Sequence, residues 1–463
     1  MNAASHMHWM LESPVRRLIL RLAIPTIASM LISAFYNVAD AWFVGRLDTQ
    51  SVAAVGIAFP AMALIQAIGF FFGHGSGNTM ARMLGAEDVK SAQIMAATGV
   101  ICSALCGLLV AFCGLCFHTP MASLMGATDS ILPYAAPYLL ILSLGAPAMC
   151  AALTLNNQLR FQGRASLAMI GILSGAVLNC FLDPLFIFVF GWGVSGAAFA
   201  TVCGQILSLL LLWKMNRQYG IVPIQLSAFQ PSRYVFGEII RGGTPSLFRQ
   251  GLGCFAMAAL NHASGVYGDA AIAAMGIVTR LTNFLYAAIV GFGQGFQPVC
   301  GFAYGAKRFK RVCDGFWFLV QANAAVLFLL SLSVWIEAPD IIARFHNADP
   351  AVTQIGTRAL RWQMITLVLS AWIIPCNMMM QTIRKSVQAS LLAAAKQGLF
   401  LIPLLWFLPS AFGLSGLVAS QAVSDGLAFL LSLPLTLPTL FILRTAAKTQ
   451  GSIHPKTLAN SSS

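Results

Sequence analysis

The sequence predicts an all-helical membrane protein of about twelve transmembrane helices, arranged as two parallel six-helix repeats. Three observations lead to this fold class. Only 9% of the 463 residues are charged and 58% are hydrophobic, whereas a soluble domain carries roughly 25% charged residues. The chain holds a series of apolar segments of membrane-spanning length, and its two halves match at one constant offset. A water-soluble fold of this composition would expose large apolar patches, so lipid is the expected solvent.

The apolar segments predict where the helices lie. A helix needs about 20 apolar residues to cross the hydrocarbon core. Segments of that kind occupy 18–44, 52–80, 92–117, 131–157, 166–190, 194–214, 243–266, 271–303, 314–337, 355–382, 388–410 and 414–442. The longer segments must tilt, kink or extend into water. A β-barrel would show short alternating segments instead.

The loop charges predict the orientation. Lys and Arg in the loops fall almost entirely on the side of the N-terminus, which predicts that both termini lie on the cytoplasmic side of the membrane. The apolar run after Arg21 is too long for a cleavable signal core. The net charge of +13 lies in these short loops, so lipid rather than nucleic acid is the expected partner.

The predicted domains are a cytoplasmic N-terminus (1–17), an N-lobe (18–214), a cytoplasmic linker (215–242), a C-lobe (243–442) and a cytoplasmic tail (443–463).

The internal repeat predicts how the two lobes are related. The separation between Arg21 and Arg241 defines the repeat offset, and the same separation pairs Pro25 with Pro245, Lys90 with Lys310, and Gly193-Val-Ser-Gly196 with Gly413-Leu-Ser-Gly416. With six spans in each repeat, both halves enter the membrane in the same direction and are related by an axis along the membrane normal. Membrane proteins of this design hold a substrate between the repeats, which move around it. A duplication retained only for folding is the alternative.

Polar side chains inside the first half form one predicted layer. Asp40 lies roughly 6 Å, and Asp183 roughly 10 Å, from the outer end of its span at 1.5 Å per residue. Thr201 and Tyr138 lie at a similar depth on two further spans. Charged groups inside a membrane are costly, and by default they mark function.

Helical spacing groups these residues further. Asn179 shares a helix face with Asp183, and Tyr36 and Asn37 share one with Asp40. Two carboxylates close together in a low dielectric do not both ionise unless a cation joins them. The pair is therefore a candidate for H⁺ exchange or for Na⁺ binding with amide and hydroxyl oxygens. A polar cluster that only fixes helix packing is the alternative.

The second half carries a different set of intramembrane charges. The polar layer of the first half is not repeated in the second. At the repeat offset, Asp40, Asn179, Asp183 and Thr201 correspond to Leu260, Leu399, Pro403 and Gln421 in that order. Charges appear instead at Arg280, Lys396 and Asp425. The sequence leaves open whether Asp425 pairs with Lys396 or with Arg280. No catalytic Ser/His/Asp or metalloprotease motif is present, so neither enzymatic activity nor a cofactor is expected.

Four motifs resemble those of a known family. They are Asn37–Arg46, Ala53–Gly56, Leu178–Pro184 and Gln297–Lys307. Together they resemble the MATE family (multidrug and toxic compound extrusion), especially its bacterial branch related to DNA-damage-inducible protein F and staphylococcal multidrug exporters. The resemblance implies an antiporter that exports bulky, often cationic small organic substrates, driven by H⁺ or Na⁺ entry.

The resemblance also implies roles for individual residues. The coupling cation, H⁺ or Na⁺, would bind at Asp40, Asn179, Asp183 and Thr201, and Pro25 would be a hinge in the first span. Six further residues are candidates for the substrate cavity from their intramembrane positions, and not from the resemblance: Tyr36, Asn37, Tyr138, Arg280, Lys396 and Asp425. Some relatives carry acids in spans 7 and 10, which 243–266 and 355–382 lack, so a C-lobe Na⁺ site of that type is not expected.

We expect the protein to be a monomer. Two other classes stay open: a flippase for lipid-linked precursors from the same broad superfamily, and a membrane scaffold or receptor.

Overall fold

The computed structural model describes residues 3–345 and 350–459, and it describes their side chains except at residues 3, 34, 36–39, 41 and 451–459. The described residues are almost entirely helical and contain no strand. This confirms the predicted all-helical class.

The described residues of the first repeat and of the segment before it form seven α-helices. They are α1 (Ala3–Glu12), α2 (Val15–Val44), α3 (Thr49–Gly85), α4 (Val89–Leu124), α5 (Leu132–Phe161), α6 (Ala165–Pro184) and α7 (Gly193–Tyr219). A π-helical turn, Leu185–Val189, continues α6, and a 3₁₀ turn, Leu226–Ala228, follows α7. Helix α1 lies in the segment that the sequence assigned to the cytoplasmic N-terminus.

The described part of the second repeat contains eight α-helices. Its helices are α8 (Arg233–Gly265), α9 (Asp269–Gly305), α10 (Phe309–Ile336), α11 (Ala338–Phe345), α12 (Pro350–Leu367), α13 (Ser370–Thr382), α14 (Ser386–Ala394) and α15 (Leu401–Ala459). A π-helical segment, Ala395–Phe400, joins α14 to α15.

Helix length and apolarity account for the membrane spans. In the described part of the chain, eight helical segments are long and apolar enough to cross a membrane, and the pair α12–α13 makes a ninth. One of the eight, Ser386–Gln450, has 65 residues; at 1.5 Å per residue it is about 100 Å long, which is enough for two crossings. Helices α2 and α8, with 30 and 33 residues, are long enough to be the first span of each repeat.

The structure divides one predicted span. The segment 355–382 is not a single helix, because α12 and α13 meet at an angle of 51°. Pro375 lies just beyond the break and lacks the N–H that would bond to the carbonyl of Ala371. The helix therefore has fewer backbone bonds to keep it straight here.

The backbone repeats at the same offset as the sequence. Glu87 and Lys307, which the repeat offset pairs, both adopt a left-handed conformation, with φ of 63° and 57°. Gly193 and Gly413 do the same with φ of 55° and 58°. Gly413 interrupts α15 where the sequence predicted the boundary between spans 11 and 12. Since residues other than Gly rarely adopt this backbone conformation, its occurrence at equivalent positions supports a duplicated fold.

The chain separates into two compact units. Unit 1 comprises Met1–Trp9 and Leu22–Gly251, and unit 2 comprises Met10–Arg21 and Leu252–Ser463. In unit 1, helices α3, α4, α5 and α7 pack around one another. In unit 2, α9 packs against α10, α12 and α13. The predicted lobe boundaries at 18–214 and 243–442 stay a prediction.

Glycines allow close helix packing in unit 1. A Cβ on Gly75 would lie 2.3 Å from the carbonyl oxygen of Ile239, and one on Gly77 would lie 2.2 Å from the ring of Phe161. The glycine-rich segment of α3 is therefore a packing surface, as such small-residue patterns usually are in membranes. Large apolar side chains are exposed on the outside of many helices, as expected for groups that face lipid; examples are Phe112, Phe181, Trp406, Phe407 and Phe441.

Candidate cation site in the first unit

Two glycines bring helices α6 and α7 into close contact. A Cβ on Gly175 would lie 2.4 Å from the carbonyl oxygen of Gly204, and a Cβ on Gly204 would lie 2.7 Å from that of Gly175. No larger residue fits at this crossing. Asn179 lies one turn beyond Gly175, and Thr201 lies one turn before Gly204, so the crossing holds their side chains together.

A chain of hydrogen bonds joins three of the predicted site residues. The Nδ2 atom of Asn179 donates to Oδ1 of Asp183 at 3.3 Å and to Oγ1 of Thr201 at 3.3 Å. All three side chains are buried, with exposures of 1%, 0% and 4% in that order. The structure therefore brings together the residues of α6 and α7 that sequence reasoning placed in one layer.

Oxygen atoms at this site lack hydrogen-bond donors. Oδ1 of Asp40, Oδ1 of Asn179 and Oδ2 of Asp183 are buried and have no hydrogen-bond partner among the described residues. A buried acceptor without a donor is costly, commonly by about 1–3 kcal/mol. Such a set fits a proton or a cation that binds oxygen ligands, because either would satisfy these atoms.

The helix changes pitch directly after Asp183. Pro184 ends the regular part of α6, and the π-helical turn Leu185–Val189 continues the chain. Proline cannot donate to the carbonyl one turn earlier, and isolated π turns are frequent at functional sites. The backbone beside Asp183 is thus the irregular part of an otherwise regular span.

A cavity of about 270 Å³ lies in the same unit. Asn179 and Thr201 line it, as do Thr26 and Ser29 of α2. Its other polar lining residues were not predicted: Ser33, Gln66, Asn156, Arg160, Gln205, Ser208 and Gln250. Because Asn179 also contacts Asp183, its amide links the cavity to the carboxylate.

Arg160 is the clearest residue that sequence reasoning missed. It follows the predicted span 131–157 and was therefore counted among the cytoplasmic loop charges, whereas its side chain is 3% exposed and lines the cavity. Its Nη2 lies 3.3 Å from Nε2 of His74 and donates to Oδ1 of Asn157. The signal was available, because Asn156 and Asn157 lie four and three residues before Arg160, so all three share one side of α5.

The remaining first-half predictions have different outcomes. Tyr138 is 2% exposed and packs within an apolar cluster with Ala54, Ala135 and Ala198, so it does not line the cavity described above. The side chains of Tyr36 and Asn37 lie outside the described residues. Pro25 lies within α2, which continues through it; its carbonyl accepts a hydrogen bond from Oγ of Ser29 at 2.9 Å.

The second-half charges form an ion pair. Nζ of Lys396 lies 3.0 Å from Oδ1 of Asp425, which answers the question that the sequence left open. Arg280 is exposed and makes no ion pair with Asp425 in the described part of the chain. Within the described residues, no group of three or more His, Cys, Asp or Glu side chains could hold a metal ion.

Comparison with known proteins decides the family. The family model described as MatE matches the chain twice, at residues 25–185 and 245–407, which together make up more than half of the chain. The chain belongs to the MATE family. The two matched segments begin at Pro25 and Pro245, a pair that the repeat offset relates.

Relatives and solved structures agree with this MATE assignment. The chain is 27% identical over 423 residues to the multidrug export protein MepA of Staphylococcus aureus, covering 90% of this chain and 93% of the relative. It is 28% identical to MepA of Staphylococcus haemolyticus, covering 89% and 91%. A solved outward-facing multidrug resistance MATE transporter of the MOP superfamily matches with a TM-score of 0.88 and 26% identity, covering 94% and 98%. The twelve-helix, two-lobe class is thereby confirmed, and the chain is a multi-pass membrane transporter.

Proposed function

We propose that this MATE protein is a secondary active antiporter that exports bulky, often cationic organic compounds across a bacterial inner membrane. Entry of H⁺ or Na⁺ at Asp40 and Asp183, with Asn179 and Thr201, drives the export. Its similarity to multidrug export proteins supports the substrate class. The protein works as a monomer with both termini in the cytoplasm and needs no cofactor besides the transported ion.

One observation carries the proposal. Three buried oxygens, one each from Asp40, Asn179 and Asp183, have no hydrogen-bond partner in the part of the chain that the structure describes. A site that served only helix packing would satisfy its polar atoms, since an unsatisfied group loses its solvation energy without return. A transiently bound proton or cation supplies what these oxygens lack.

The geometry supports a route from the ion to the substrate. The amide of Asn179 contacts Asp183 on one side and lines the 270 Å³ cavity on the other. An ion at Asp183 therefore changes the hydrogen bonds that this amide offers to a substrate. One charge that crosses 100 mV supplies about 2.3 kcal/mol, which is enough to drive a useful gradient.

Helix α2 is the element that would move. It carries Asp40 near its C-terminal end, and its residues Thr26 and Ser29, near its middle, line the cavity. Pro25 lies beside them and cannot donate a backbone hydrogen bond, which makes this turn the easiest to bend. Binding at Asp40 would thus bias the shape of the helix that borders the cavity.

Transport by purified protein tests the proposal. Full-length protein is reconstituted in liposomes, and uptake of ethidium, a bulky organic cation, is followed with a pH gradient or a Na⁺ gradient imposed separately. One gradient should accelerate uptake at least tenfold in wild type and leave the Asp183→Asn variant at the rate of empty liposomes. Uptake that ignores both gradients would overturn the antiport mechanism. Absence of uptake, combined with movement of a lipid-linked precursor, would favour the flippase alternative.

A further inference from the structure

Unit 2 contains a small polar cavity that the proposed function does not use. Its volume is about 90 Å³. It lies next to the Lys396–Asp425 ion pair and is lined by Met257, Thr279, Thr282, Asn283, Tyr286, Gln363, Gln397 and Gln421, among others. A cavity of this size can hold several water molecules, but it is smaller than the 300–1,000 Å³ typical of drug-sized ligands. Its occupant is therefore a small group.

The two cavities occupy equivalent positions in the two repeats. The repeat offset carries six lining positions of the unit 1 cavity onto lining positions of this one. The pairs are Ser33 and Gly253, Gln66 and Tyr286, Ala176 and Lys396, Thr201 and Gln421, Gly204 and Ser424, and Gln205 and Asp425. Unit 2 thus keeps the cavity while replacing its chemistry, and both charges lie at positions that are uncharged in unit 1.

The ammonium group of Lys396 is held as a bound cation would be. Nζ lies 3.0 Å from Oδ1 of Asp425 and 4.7 Å from the ring centre of Tyr286, and it donates to Oγ of Ser370 at 3.5 Å. The other carboxylate oxygen accepts from Nε2 of Gln363 at 2.8 Å. A carboxylate, a hydroxyl and an aromatic face are the groups that bind monovalent cations in proteins.

The cavity also contains oxygen atoms that a structural ion pair would not need. The hydroxyls of Thr279 and Thr282 line it, each residue is 8% exposed, and neither Oγ1 has a hydrogen-bond partner among the described residues. An ion pair that served packing alone would be sealed by apolar side chains, because unpartnered buried hydroxyls are costly. These two oxygens are available to a ligand beside the carboxylate.

A local change of helix pitch positions Lys396 beside Asp425. Lys396 lies in the π-helical segment Ala395–Phe400 between α14 and α15. Its backbone carbonyl accepts from Oγ of Ser424 at 2.5 Å, which anchors this segment beside Asp425. The Lys396 side chain therefore reaches the Asp425 carboxylate from this π-helical segment, and its ammonium group lines the cavity.

We propose that the ammonium group of Lys396 permanently occupies a monovalent-cation site at Asp425 in unit 2, and that Thr279 and Thr282 supply further oxygen ligands only when that ammonium group is removed. The lysine acts as a built-in counter-ion, so this site exchanges no ion with solvent in the wild-type protein. Removal of the ammonium group uncovers a site for an alkali-metal cation. This goes beyond the proposed function and does not depend on an ion site in unit 1.

Thermal unfolding of purified full-length protein tests the proposal. All variants carry Asp40→Asn and Asp183→Asn, so that unit 1 cannot contribute carboxylates. With Lys396→Met added, the Tm should be about 3 °C higher in about 100 mM NaCl than in N-methylglucamine chloride of equal ionic strength. The parent with Lys396 intact should show no such difference, and adding Asp425→Asn to the Lys396→Met variant should abolish it. The absence of a Na⁺ effect in the Lys396→Met variant, or its persistence after Asp425→Asn, overturns the proposal.

A second readout covers a failure to fold. If the Lys396→Met variant aggregates in N-methylglucamine chloride, the proposal requires it to be monodisperse in NaCl, because Na⁺ replaces the missing ammonium group. The variant with Asp425→Asn added should behave alike in both salts. Aggregation of the Lys396→Met variant in both salts overturns the proposal, since an uncovered cation site would fill under the NaCl condition.

Discussion

The two units treat buried charge in opposite ways. In unit 1, Asp40 and Asp183 each have a buried oxygen without a donor among the described side chains. In unit 2, Asp425 has Lys396 at 3.0 Å and Gln363 at 2.8 Å. Unit 1 therefore has unsatisfied hydrogen-bond acceptors, whereas in unit 2 the Lys396 ammonium group pairs with the buried carboxylate. On our proposal, the duplicated fold keeps unit 1 responsive to external ions, whereas unit 2 carries its own counter-ion.

The largest expected effect is on transport and concerns unit 1. Asp40→Asn or Asp183→Asn should each abolish ethidium efflux from cells, because an amide can neither release a proton nor neutralise a bound cation. Efflux is measured by fluorescence, with membrane expression checked on the same cells. Wild-type efflux by either variant would remove that residue from the coupling site.

The next prediction concerns the ion pair of unit 2. Asp425→Asn should lower the free energy of unfolding by about 3 kcal/mol, because it leaves the Lys396 ammonium buried without its carboxylate. Adding Lys396→Met should recover most of the loss, since the double variant has no buried charge. Chemical denaturation of the purified variants gives both values. Equal stability of the two variants would mean that the pair does not hold unit 2 together.

The helix crossing in unit 1 gives a third prediction. Gly175→Ala should destabilise the protein by about 2 kcal/mol and reduce efflux several-fold, because the new Cβ would lie 2.4 Å from the carbonyl oxygen of Gly204. Gly56→Ala is the matched control, since its Cβ would meet nothing within 4 Å. A similar loss in both variants would show that helix flexibility, rather than the close crossing, is responsible.

A smaller effect is expected from Thr201. Thr201→Val keeps the shape and removes the hydroxyl that accepts from Asn179 at 3.3 Å. Efflux should fall about threefold, corresponding to the loss of one neutral hydrogen bond of about 0.5–1.5 kcal/mol. The ion concentration that gives half-maximal uptake should rise in parallel. If efflux falls while that concentration is unchanged, Thr201 contacts the substrate and not the ion.

The smallest predicted effect lies in a loop and also separates the repeats. Asp88 begins α4 and accepts from the backbone N of Ser91 at 3.0 Å, whereas its counterpart at the start of α10 is Arg308, which forms no such cap. Hydrogen bonds from Ser91 lower the pKa of Asp88 below its ordinary value of 3.8. The charged cap therefore stabilises the protein above about pH 4, and this contribution is lost as the pH falls through the lowered pKa.

The measurement for this cap is a pH series of Tm. Wild type should exceed Asp88→Asn by up to about 1 °C at pH 6, because Asn can also cap the helix but lacks the negative charge, and the difference should shrink as the pH is lowered towards 3. Asp129→Asn, in the loop before α5, is the control and should show no such trend. A difference that grows on acidification would contradict the sign of the shift.

The sequence predicted those features that depend on local spacing. Apolar run lengths located the helices, and the separation of four residues put Asn179 and Asp183 on one face. The constant offset revealed the repeat, including the turn at Gly413. These inferences succeed because each depends on one helix or on one comparison between segments.

Features that depend on helix neighbours were not predictable. Lys396 and Arg280 were equivalent candidates for Asp425, because only the packed structure shows which helix lies beside α15. Arg160 was assigned to a loop because its charge outweighed its position at the end of a long apolar helix. The break between α12 and α13 and the π-helical segment at Lys396 depend on packing, and neither has a reliable sequence signal.

Ion release on substrate binding tests the central account most directly. Ethidium is added to purified wild-type protein in weakly buffered solution, and released protons are followed with a pH indicator, or released Na⁺ with a radioactive tracer. The account predicts that wild type and the Lys396→Met/Asp425→Asn variant release an ion, while Asp183→Asn, still able to fold, releases none. Equal release from Asp183→Asn and wild type would contradict it.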